Sequence, residues 1–311
     1  MNPISTTLMF DRAVSQMGVT QQRLARVQEQ LATSKEVIQP SDAPDKAAAI
    51  TRLKSAITRQ ESYADTISAV RDKLSQQETA IDSANDALIR LKELTIQAAN
   101  DTNGPEGRKL INIEVRQLRE HLLSLANTQD VNGNYIFAGS RTGATAYEAG
   151  PNGAAASPAY RGDQTVNSVP VGDERTVEDN RAATQPFART IRTGADGEQQ
   201  SVGFFDVIDD LSAALQNNDY ANIRRAVSEV GDMQFGMSES LADIGGSMNT
   251  LDRQQELADA NVLRLKETLS SVEDLDYTEA ITKMNKDMLA LQAAQSSFSK
   301  IAQMSLFTYI R

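Results

Sequence analysis

The stretch that most constrains this chain is its final one, from Glu273 to Arg311. Ile281, Met284, Met288, Leu291, Gln295, Phe298, Ala302 and Ser305 step alternately by three and four. That is the spacing of one helix seam facing another helix. Ile301, Leu306, Phe307, Tyr309 and Ile310 add apolar surface almost to the last residue. A chain end is normally polar and frayed, so this one is expected to be buried against a partner. At the opposite end Phe10, Met17, Leu24 and Leu31 recur once per heptad, with Gln21 and Gln28 at the intervening positions. Burying each of those four anchors contributes roughly 1.5–3 kcal/mol, against about 1–2 kcal/mol per residue for ordering the backbone. The helix read over residues 8–36 is therefore expected to be disordered until something covers it.

Between these half-seams the chain reads as long helices around an insertion. Pro40 and Pro44 break the first helix, and Asp42 is read as the N-cap of the next, with Asp45 close behind. Ile50, Leu53, Ile57, Gln60, Ala64 and Ile67 keep the step of three and four. The register then slips, and Val70, Leu74, Gln77, Ile81, Ala84, Leu88, Leu91, Thr95 and Ala98 carry it on. Gly104-Pro105 stops this helix, and a shorter one follows with Ile111, Val115, Leu118, Leu122 and Leu125 on one face. From Ala138 to Gly203 lie more than half of the glycines and half of the prolines. Helical periodicity there gives way to short β-like pieces, Thr165 to Val171 and Arg189 to Thr193 among them. Helix resumes at Phe204. A long seam then runs from Val227 to Val272 and loses phase between Glu273 and Ala280.

The two long helices would each span about 70 Å at 1.5 Å per residue. Matched lengths on either side of an insertion predict an antiparallel pair. The fold class expected is mainly α: a long antiparallel coiled-coil rod of N- and C-terminal helices with a small β-rich inserted domain. The domain division expected is 1–40 with 274–311, a terminal helical assembly domain; 41–137 with 204–273, a rod-like helical domain; and 138–203, an outer β-rich insertion. The rod would bring both half-seams to one place.

Chemistry is scarce along the chain. It has no cysteine, which removes disulfides and thiolate metal sites. His121, the only histidine, has no convergent partner nearby in sequence and reads as a surface residue. Asp206, Asp209 and Asp210 sit in the first turns of a helix and read as complements to its dipole rather than as cation ligands. Gly245-Gly246, inside the long helix, suggests a kink or a close approach by a neighbouring backbone, of which the close approach is favoured. No phosphate-binding loop, nucleophile elbow or zinc spacing appears, so no catalytic residue, cofactor or metal is expected. A net charge of −11 and a pI near 4.8 argue against a nucleic-acid partner. No window is apolar enough for membrane insertion, and no cleavable signal peptide is legible at the start of the sequence.

Several stretches together resemble the flagellin-type axial proteins of bacterial flagella. They are Pro40-Ser41-Asp42-Ala43-Pro44, Ile96-Gln97-Ala98-Ala99-Asn100, Asn134-Tyr135-Ile136-Phe137-Ala138-Gly139, Ile244-Gly245-Gly246-Ser247-Met248-Asn249, and Ser305-Leu306 through Ile310. The proline-flanked run and the Tyr-x-Phe-x-Gly stretch place the likeness with the hook–filament junction branch of that family. Gly246 departs from the larger residue common there. The resemblance implies a non-enzymatic structural adaptor joining the hook to the flagellin filament. The partners it implies are copies of itself in a ring, the hook-side junction protein FlgK, flagellin, and a FlgN-like export chaperone on the C-terminal segment. It also implies an extracellular location in the flagellum, reached by type III export. The interface residues expected are Phe10, Met17, Leu24, Leu31, Ile281, Met284, Met288, Leu291, Phe298, Ala302 and Leu306. A filament subunit or a cytoplasmic coiled-coil export chaperone are the alternatives.

Overall fold

A computed structural model of the chain describes residues 3–148, 157–193 and 198–309, apart from the side chains of 3–7, 9 and 301–309. Six helices carry most of it: α1 (Pro3–Thr33), α2 (Pro44–Ala99), α3 (Pro105–Ala126), α4 (Phe204–Asn217), α5 (Tyr220–Glu273) and α6 (Tyr277–Tyr309). Between α3 and α4 lie β1 (Tyr147–Glu148), β2 (Ala159–Tyr160), β3 (Ser168–Pro170), β4 (Thr176–Glu178), β5 (Thr190–Thr193) and β6 (Gln199–Val202). They pair as three separate two-stranded antiparallel ribbons, β1 with β2, β3 with β4 and β5 with β6. The protein is mainly α with a small β region. It divides into two compact units, one of residues 1–60 with 260–311 and the other of residues 61–259.

In the unit of residues 61–259, one face of α2 supplies the core. Val70, Leu74, Gln77, Ile81, Ala84, Leu88, Leu91, Thr95 and Ala98 are all buried, the seam read from their spacing. Gln77 is tolerated there because its Nε2 donates to the Ile136 carbonyl at 3.3 Å. Thr95 turns its hydroxyl back onto the Leu91 carbonyl at 2.7 Å. Pairs Lys92–Gln234 and Arg71–Asp252 set α5 antiparallel to α2. Pro105 opens α3 from Gly104, a position where a missing N–H costs nothing. The β region is held by rings: Tyr147 meets Phe205 at 5.0 Å and Phe187 meets Phe204 at 5.1 Å, both edge-on.

Partly buried ion pairs tie the elements to one another. Arg119 of α3 forks onto Asp209 of α4, and Arg192 of β5 forks onto Glu229 of α5 at 2.6 and 3.1 Å. The three acids of α4 thus have separate tasks. Asp206 accepts the Gly203 N–H at 3.1 Å and caps the helix, Asp209 takes Arg119, and Asp210 takes Arg192 at 2.8 Å. His121 is exposed.

Two local expectations are corrected. Asp42 does not cap α2: its carboxylate accepts the Gln39 N–H at 3.0 Å and pairs with Arg26 at 2.7 Å, while Pro44 opens the helix. Among the described residues no neighbour approaches Gly245 or Gly246; a Cβ at either would meet nothing within 4 Å.

Candidate assembly surface

The unit of residues 1–60 and 260–311 is built on α1 and α6. Phe10 and Phe298 meet edge to face with centroids 5.3 Å apart. Beyond the end of α1 the Ser34 hydroxyl meets the Tyr277 hydroxyl. Advancing along one helix therefore retreats along the other, and the pair is antiparallel. In α1 the covered positions are Phe10, Ala13, Met17, Thr20, Leu24, Val27 and Leu31, an unbroken heptad seam. In α6 they are Ala280, Met284, Asp287, Leu291, Ala294 and Phe298. The helix expected to be disordered until covered is ordered here with α6 as its cover.

Among the residues singled out from sequence, Phe10, Met17, Leu24, Leu31, Met284, Leu291 and Phe298 are partly buried. Ile281 and Met288 point outward, 44% and 40% exposed, with Leu289 at 67% beside them. Ala302 and Leu306 lie outside the described side chains. Sequence reasoning passed over Ala13, and put Gln21 and Gln28 in place of Thr20 and Val27; both glutamines are exposed. In α6 it took Ile281 and Met288 over their neighbours Ala280 and Asp287. A heptad allows a step of three or four, and size favoured the larger apolar residue. The helix in fact carries two apolar ridges, one on α1 and one facing out. Leu8, Val14 and Val19 add exposed apolar positions on α1. Among the described side chains, the Asp287 carboxylate is covered yet one oxygen, Oδ2, has no hydrogen-bond partner.

The connectors that feed this pair are joined to each other. Ser34 adopts a left-handed backbone (φ 60°) that ends α1. Residues 34–36 then lie antiparallel to 273–275: the Glu36 N–H donates to the Glu273 carbonyl at 2.8 Å and Leu275 N–H to Ser34 O at 3.1 Å. The Glu273 side chain is only 9% exposed. Lys35 and Lys54 reach its Oε1 at 2.7 and 2.8 Å. Burial alone would raise this carboxyl, but the two ammonium groups hold it below the usual glutamate range. A short bridge and a three-residue ion cluster thus fix where α1 leaves α2 and α6 leaves α5.

Among the described residues, no group of three or more acids or histidines could hold a metal ion, and no helix is long and apolar enough to cross a membrane.

Comparison with known proteins matches residues 4–142 to the bacterial flagellin N-terminal helical region and residues 227–310 to the bacterial flagellin C-terminal helical region. Flagellar hook-associated protein 3 of Salmonella typhimurium is 27% identical over 318 residues, covering 98% of each chain. The protein of that name from Escherichia coli is 25% identical, covering 97% of this chain and 98% of its own. Among solved structures, a putative flagellar hook-associated protein from Vibrio parahaemolyticus aligns with a TM-score of 0.65 at 22% identity, over 75% of this chain and all of that one. FlgL from Xanthomonas campestris aligns at 0.61 and 22% identity, over 71% and 99%. The helical architecture is therefore shared with solved hook-associated proteins.

Proposed function

Because the chain belongs to the bacterial flagellin family, we propose that its role is mechanical: a structural protein of the flagellum, at the junction of hook and filament. The observation that carries this is the end-to-end likeness to hook-associated protein 3, with neither chain leaving an unmatched domain. Those relatives are structural flagellar proteins, and the protein's own work is assembly rather than catalysis.

The face that assembles is the outer ridge of the terminal pair. Ile281, Met288 and Leu289 are apolar, exposed and on one helix, which favours burial against another surface. The inner seam of Phe10, Met17, Leu24 and Leu31 against Met284, Leu291 and Phe298 holds that ridge in place. We assign assembly to residues 1–40 with 274–311, and count Ala302 and Leu306 among the interface residues. Neighbouring copies in a ring occupy the ridge laterally, with FlgK on the hook side and flagellin on the filament side. Export through the type III route places the protein outside the cell, with a FlgN-like chaperone covering the C-terminal segment beforehand. An apolar ridge of this kind invites premature association unless covered, which supports that need.

Removing residues 288–311 tests the reading. The truncated protein should keep the fold of residues 61–259 yet fail to join flagella, leaving cells non-motile. Motile cells carrying only the truncated protein would overturn it. Long filaments formed by the pure intact protein alone would instead favour a filament subunit.

A further inference from the structure

We draw no further inference here: the strongest candidate, the surface patch of exposed Ile89 and Ile96 on α2 and Phe235 on α5 beside the Lys92–Gln234 pair, carries nothing because nothing in the structure shows what covers it.

Discussion

The Lys35 ammonium lies 2.7 Å from the Glu273 carboxylate, and beside that pair the backbones of residues 35 and 274 face each other in a short antiparallel bridge. Lys54 of α2 shares the same carboxylate oxygen. Three segments distant in sequence therefore meet at one buried acid, where α5 ends and the turn to α6 begins.

Glu273→Gln should loosen this joint by about 1–2 kcal/mol, the value of charge-assisted hydrogen bonds lost at a buried site. The same contribution should depend on pH. Glu273 titrates below its unfolded value, so its stabilisation is present above pH ~4.3 and lost as pH falls through the lower folded value. Hydrogen exchange at the Glu36 and Leu275 amides, which donate across the bridge, reads both effects. Unchanged exchange in Glu273→Gln would remove the joint from the account.

Phe298→Ala should expose α1. The ring loses its edge-on contact with Phe10, a pairing worth roughly 0.5–1.5 kcal/mol beyond area burial. Exchange along α1 should quicken in Phe10→Ala and Phe298→Ala alike, and the double variant should be less than additive because both remove one contact.

Asp287→Leu should raise the stability of the α1–α6 pair. The carboxylate is covered and one oxygen has no partner, so its replacement relieves a desolvated polar atom worth about 1–3 kcal/mol and completes the apolar seam. Slower exchange in α1 and α6 is the expected readout.

How much of this could be read from residues alone differs by element. The burial of Val70 through Ala98 on α2 was legible because large apolar residues recur at a fixed step with few rivals beside them. The break after Glu273 was legible from Asp276, Glu279 and Lys283 arriving where the α5 seam would continue. In α6 two apolar ridges lie a few residues apart, and only packing decides that Ala280 and Ala294 face inward while Ile281 and Met288 face out. The partners of Glu273, Arg181 and Arg119 were invisible for a different reason. Lys35 and Lys54 to Glu273, Asp243 to Arg181 and Asp209 to Arg119 are ion pairs across large sequence separations, for which spacing carries no signal.

Gly245→Ala and Gly246→Ala should each stabilise the chain by roughly 0.5–1 kcal/mol, since the added methyl groups meet nothing within 4 Å. Thermal unfolding checks this directly. A loss of stability would mean that the two glycines are held against a neighbour after all.

Glu229→Ala should cost about 1–3 kcal/mol. The acid is buried and receives both arms of Arg192 as well as Arg225, and its loss leaves Arg192 with Asp210 alone. Urea unfolding of the full chain measures it. A cost near zero would show that the cluster is no more than a surface pair.

The central claim is that the ridge left outside the α1–α6 pair is covered in the assembled flagellum, and thiol labelling tests it most directly. With no native cysteine, Met288→Cys gives a single reporter on that ridge. It should react readily with a maleimide in the purified monomer and become protected in isolated flagella. Equal reactivity in both states would contradict the account.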